Sequence, residues 1–193
     1  MKIARLLLDG KETYGIVKNG NVATKESITY ETGVPLPPYI KDFLFNGWYT
    51  KIKDKISNIL FQDQLEKFRL LTPIPNPSKI ICLAFNYPNH AKEQKLESPK
   101  EPVIFFKPRT ALCGTGSEII CPNFVKQLDY EIELAVIIGN TCKNIDETES
   151  KDYTFGYMTF NDVSARDIQM RDKQFTRGKS FDTFAPSGPW ITS

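Results

Sequence analysis

Cysteine is scarce and unpatterned. Cys82, Cys113, Cys121 and Cys142 match no zinc-ligand spacing and contain no Cys-x-x-Cys pair. Most have apolar neighbours in the sequence, as buried free thiols do, and they are expected to be reduced structural thiols of a cytoplasmic protein. No stretch reaches the ~18 uninterrupted apolar residues of a membrane span. The N-terminal apolar run is broken by Asp9 and Gly10 and is too short for a signal-peptide core. Charge of one sign is missing too: 25 basic residues face 23 acidic ones, net +2, with no Lys/Arg run long enough for a nucleic-acid stripe. Gly-x-Gly-x-x-Gly, Walker and Gly-x-Ser-x-Gly motifs are absent, the last arguing against a serine hydrolase. There is no internal repeat and no low-complexity tract.

What is present is an ordinary globular composition, 40% hydrophobic and 25% charged over 193 residues, enough for one sizeable core or two small units. Residues 2–8 read as a strand and DGKE (9–12) as a hairpin turn. YGIVKNGNVAT adds a second strand, an Asn-Gly turn and a third strand, an antiparallel meander. After Pro35, Pro37 and Pro38, the spacing of Ile40, Phe43 and Leu44 predicts a helix that Asn46-Gly47 can stop, and Ile52, Ile56, Ile59 and Leu60 predict another. LLTPIPNPS (70–78) cannot continue a helix and reads as a linker, which divides the chain into a small domain 1–72 and a second domain 73–193.

Beyond the linker, KIICLAF (79–85), EPVIFFKP (101–108), SEIICP (117–122), YEIELAVIIG (130–139) and FGYMTFND (155–162) read as strands, and a helix is expected from about Ser164. Strands do not alternate with helices of ordinary length, so a doubly wound parallel fold is disfavoured. The fold class expected is α+β, a β-roll or distorted barrel.

Residues i and i+2 of a strand share a face, which places Glu131 and Glu133 side by side. Apolar residues on both faces of 130–139 predict a covered strand, where two carboxylates need compensation. Basic partners, raised pKa values or a hard cation such as Mg²⁺ would each provide it; an exposed strand end would remove the need. Asp162 closes the next strand and reads either as a helix cap or, if Ser164 caps instead, as a further ligand. His90, the sole histidine, lies one helical turn from Glu93. The pair reads as a surface salt bridge or as an imidazole oriented by a carboxylate to take a proton from water.

Four segments then coincide with one pattern. KIICLAFNYPNHAKE, EPVIFFKPRTAL, DYEIELAVIIG and GYMTFNDVSARDIQ…GKSFDTFAPSGPW, in that order, resemble the fumarylacetoacetate hydrolase family over about residues 70–193. The N-terminal meander resembles the small leading domain of many prokaryotic members. The resemblance implies metal ligands at Glu131, Glu133 and Asp162, holding Mg²⁺, sometimes Mn²⁺ or Ca²⁺. It implies a His90–Glu93 dyad on a lid, Lys179 beside the substrate, Gln169 and Lys107 as substrate contacts, and an orienting role for Arg166. It also implies a homodimer with a small-molecule 2-oxo acid substrate, no nucleic acid and no membrane partner. Family members usually continue beyond PWITS with several more strands.

A 2-oxo acid can offer a hard cation two oxygens, leaving three positions for carboxylates and one for water. Polarising its carbonyl lets charge at C3 delocalise as an enolate, with Lys179 adding positive charge there. The expected reaction is hydrolysis of the C3–C4 bond of a 2,4-dioxo acid by a water that His90 activates. Isomerisation, decarboxylation and dehydration of related 2-oxo acids use the same enolate.

Overall fold

The computed structural model describes residues 1–45, 47–87 and 99–193. The N-terminal meander forms as its turns dictate. Strands β1 (Lys2–Leu8), β2 (Lys11–Lys18) and β3 (Asn21–Thr24) pair antiparallel, with Leu8 facing Lys11 and Lys18 facing Asn21. Asp9 and Gly10 (φ 49° and 75°), and Asn19 and Gly20 (51° and 78°), take the left-handed conformation that a two-residue hairpin demands. A helix then runs Lys25–Thr32, started by the Thr24 hydroxyl accepting the Ser27 N–H and stopped by left-handed Gly33.

The helix predicted around Ile40, Phe43 and Leu44 spans Ile40–Leu44 and buries all three. The second is shorter than its periodicity suggests. It is α-helical over Trp48–Ile52 and tightens into a 3₁₀ helix over Lys53–Asn58, a mostly polar run that meets the core only through the half-buried Ile56. Two short strands follow, β4 (Asp63–Gln64) and β5 (Arg69–Leu71). The proposed linker thus begins inside a strand, because Leu70 and Leu71 pair with Leu6 and Arg5.

The remaining strands are β6 (Ile80–Ala84), β7 (Val103–Lys107), β8 (Leu112–Cys113), β9 (Leu128–Asp129), β10 (Ile132–Ile138), β11 (Thr154–Asn161), β12 (Ser164–Ala165) and β13 (Ala185–Thr192). The main sheet runs β10-β11-β13-β1-β2-β3-β4, with β5 added to β1 and β8 to β13. All its pairings are antiparallel except β8 with β13. β6 with β7 and β9 with β12 make separate two-stranded sheets. One apolar cluster joins Ile3, Tyr14, Ile28 and Phe43 to Met158, Phe160 and Ile191, so both ends of the chain share a core. The α+β expectation holds: one large antiparallel sheet with a few short helices.

Three expectations are corrected. Residues 117–122 form no strand; the segment runs irregularly, and the Ile120 N–H donates to the Thr183 hydroxyl (2.8 Å) rather than to a neighbouring strand. The 130–139 strand is covered on one face only, since Ile132 and Leu134 (62% exposed each), Val136 and Ile138 (51% each) face outward. The outer faces of β6 and β7 are open as well, at Ile81, Leu83, Ile104 and Phe106. An apolar run on both faces measures what a strand can bury, not what lies against it in this chain. Of the four free cysteines only Cys82 is buried, while Cys121 and Cys142 are exposed. Among the described residues, no helix is long and apolar enough to cross a membrane.

Candidate active site

Register brings the carboxylates together. Ile132 faces Asn161 across β10 and β11, and one residue further out the Asp162 N–H donates to the Glu131 carbonyl (2.9 Å). Glu131 and Glu133 alternate onto the side where Asp162 emerges, and one oxygen from each lies within 4.8 Å of the others. The capping alternative for Asp162 is set aside by the geometry. The helix over Arg166–Asp172 starts after Ala165 and has no side-chain cap. Ser164 does not cap it either: it lies in β12, and its hydroxyl donates to the Asp162 carbonyl (3.0 Å).

Three cations surround the carboxylates. Lys179 sits on a 3₁₀ turn, Arg177–Lys179, held close because Gly178 has no side chain: a Cβ there would meet the Ala165 carbonyl oxygen at 3.0 Å and the Gln169 nitrogen at 3.1 Å. The Lys179 Nζ donates to Glu131 Oε2 and Asp162 Oδ2, both at 2.5 Å, and lies 4.9 Å from the centre of the Phe105 ring. Lys107 donates to Asp162 Oδ1 (2.5 Å) and to the Val163 carbonyl (3.1 Å). Arg166 bridges Glu131 Oε1 and Asp129, the latter at 2.9 Å. Compensation by basic partners, one of the alternatives open from the sequence, is therefore real for Glu131 and Asp162.

It does not extend equally to Glu133. Burial pushes the Glu131 carboxyl up, but the Lys179 ammonium and Arg166 outweigh this and hold it down at about 2. Burial, with Asp162 and Glu131 alongside, instead pushes Glu133 up to about 7. Among the described residues Glu133 makes no ion pair, and its carboxylate faces the other two. Three carboxylates converging beside a cavity, one of them short of a cation, are a donor set suited to a hard divalent ion.

That cavity holds about 320 Å³ and is lined by Phe85, Tyr87, Phe105 and Phe175 together with the carboxylates. The aromatic wall carried no sequence signal beyond composition; Phe85 stands out only through its left-handed backbone, φ 57°. Gln169 lines the cavity, and its Oε1 accepts from Arg166 (3.3 Å), which leaves the amide NH₂ to donate elsewhere. Lys107 does not line it: its ammonium lies behind Asp162, fully buried. Asp129, the second partner of Arg166, was not singled out from the sequence. His90 and Glu93 lie outside the described residues. Burial and the nearby Asp162 push the Cys82 thiol up to about 12, away from the range of a reactive thiolate.

The family model for the fumarylacetoacetate (FAA) hydrolase C-terminal region matches residues 79–193. The chain belongs to the fumarylacetoacetate hydrolase family. It is 48% identical over 126 residues to a mitochondrial oxaloacetate tautomerase of Xenopus laevis, which covers 64% of this chain and 40% of that protein. Among solved structures, a probable 2-hydroxyhepta-2,4-diene-1,7-dioate isomerase from Mycobacterium abscessus superposes with a TM-score of 0.76 at 29% identity, covering all of this chain and 64% of that one. Maleylpyruvate hydrolase from Sphingobium sp. SYK-6, in complex with manganese(II) and pyruvate, gives a TM-score of 0.77 at 29% identity, covering all of this chain and 67% of that one. The chain spans about half the length of the curated relatives it matches.

Proposed function

We propose that Glu131, Glu133 and Asp162 hold Mg²⁺ or Mn²⁺ and that the site converts a 2-oxo acid between its keto and enol forms. The observation that carries this reading is the convergence of the three carboxylates, within 4.8 Å of one another, on a cavity that Lys179 also lines. A divalent cation held by these three residues would supply Lewis acidity to a 2-oxo acid. Lys179 places a buried positive charge where an enolate oxygen gathers charge. Lys179 and Arg166 together keep Glu131 ionised, and Arg166 also fixes its position. Gln169 presents its free amide donor to a substrate oxygen. Tautomerisation requires only that one proton leave the C2 hydroxyl and one arrive at C3, with no C–C bond broken, and the 48% identity to an oxaloacetate tautomerase favours it.

The second reading is hydrolysis of a C–C bond in a 2,4-dioxo acid, favoured by the structural likeness to maleylpyruvate hydrolase. It needs a water-activating base, for which His90 oriented by Glu93 is the candidate. The test is decay of enol-oxaloacetate absorbance against cleavage of an acylpyruvate, each with and without Mg²⁺ or Mn²⁺. Metal-dependent loss of the enol is the expected result, and no acceleration by either metal would sink the proposal. His90→Ala is expected to abolish any cleavage while leaving metal affinity unchanged.

Metal uptake carries a pH signature. Below about pH 7 the metal-free Glu133 holds a proton that a cation must displace. Affinity is expected to climb with pH until about 7 and then level off. Titration calorimetry in buffers of different ionisation enthalpy should show about one proton released per cation near pH 6 and almost none near pH 8.5. Equal release at both would show that Glu133 does not carry the proton.

A further inference from the structure

Lys107 was expected to touch substrate, yet it is not among the residues that line the cavity: it ends β7 with its side chain fully buried against Asp162. Its ammonium holds Asp162 Oδ1 at 2.5 Å and the Val163 carbonyl at 3.1 Å. Asp162 is pinned in the main chain as well, through its N–H to the Glu131 carbonyl and its carbonyl to the Ser164 hydroxyl. Its carboxylate therefore has little freedom to turn. Swinging both oxygens toward the cavity would pull Oδ1 from Lys107 and leave a buried ammonium unpaired, which is strongly unfavourable. Oδ2 alone remains on the cavity side, beside Lys179.

We infer that Lys107 is a specificity-determining residue for the metal: it confines Asp162 to one coordinating oxygen and so selects a small octahedral cation over Ca²⁺. The inference rests on the metal reading proposed above. Mg²⁺ and Mn²⁺ suit six single oxygens in near-octahedral array, whereas Ca²⁺ takes six to eight and commonly uses carboxylates bidentately. Glu131 is restrained in the same sense, its Oε1 held by Arg166, but that guanidinium keeps some contact with solvent, whereas the Lys107 side chain has none. With Asp162 limited to one oxygen, the oxygens contributed by the protein fill part of an octahedron and fall short of a calcium shell.

The test compares Mn²⁺ and Ca²⁺ affinities, by titration calorimetry, for the wild-type chain and Lys107→Met, which keeps length and loses charge. Loosening a group that orients a ligand typically changes metal affinity ~10–100-fold. The ratio of Mn²⁺ to Ca²⁺ affinity is expected to fall by about ten-fold or more, and Lys107→Arg is expected to keep the wild-type ratio. A purely structural role would weaken both metals by the same factor, and that result overturns the inference. If Lys107→Met fails a thermal-melt check of folding, Lys107→Gln, whose uncharged amide ends one bond short of the ammonium it replaces, is read by the same ratio. Binding of neither metal by the wild type would instead overturn the underlying metal reading, a different result from an unchanged ratio.

Discussion

Asp162→Asn is expected to abolish divalent-cation binding and to cost the fold about 3–5 kcal/mol. Asp162 has no solvent exposure, and both of its oxygens carry an ammonium, Lys107 on Oδ1 and Lys179 on Oδ2. A neutral amide leaves two buried cations facing one oxygen and one NH₂ group, so a donor confronts a donor. The penalty comes from uncompensated charge rather than from the worth of the pair itself. That distinction is measurable. Adding Lys107→Met to Asp162→Asn removes one stranded cation and should recover part of the lost stability, seen as a shift of the urea midpoint back toward wild type. Additive losses in the double variant would mean that the two side chains do not act on each other. By contrast the Arg177–Asp172 pair, largely in water on the Arg177 side, is expected to contribute little.

Much of the scaffold was legible because local chemistry determined it. Asp9-Gly10 and Asn19-Gly20 specify two-residue turns through their tolerance of positive φ, and the meander forms around them. Period-two alternation put Glu131 and Glu133 on one side, but it could not say what faced them. Asp162 joined them through the pairing of Ile132 with Asn161, a long-range register that no local pattern encodes. The aromatic wall was illegible for the same reason: Phe85, Phe105 and Phe175 come from three separate segments. Lys107 shows the opposite case. The resemblance implied a substrate contact, yet its ammonium is taken up by Asp162 and the Val163 carbonyl and has no exposed surface. Where the sequence reading failed outright, at 117–122 and on the outer face of β10, apolar composition was mistaken for an assurance of partners.

Lys179→Met separates holding the metal from stabilising charge in the substrate. The metal-dependent rate is expected to fall ~10²–10³-fold, the usual cost of deleting one preorganised donor at a developing oxyanion. Cation affinity is expected to hold or to rise. The ammonium sits 2.5 Å from Glu131 Oε2 and from Asp162 Oδ2, so removing it leaves a more negative cluster and one less positive charge for an incoming cation to meet. Methionine matches the length of the lysine stem and can remain against the Phe105 ring, which limits the packing loss. Arginine would be a poorer probe, since it keeps the positive charge whose loss is to be read. Calorimetry with Mn²⁺ and an enol-decay assay on the same preparation decide the matter. A fall in affinity parallel to the fall in rate would make Lys179 a prop for the ligands; a lost rate with affinity intact places its charge on the reacting substrate.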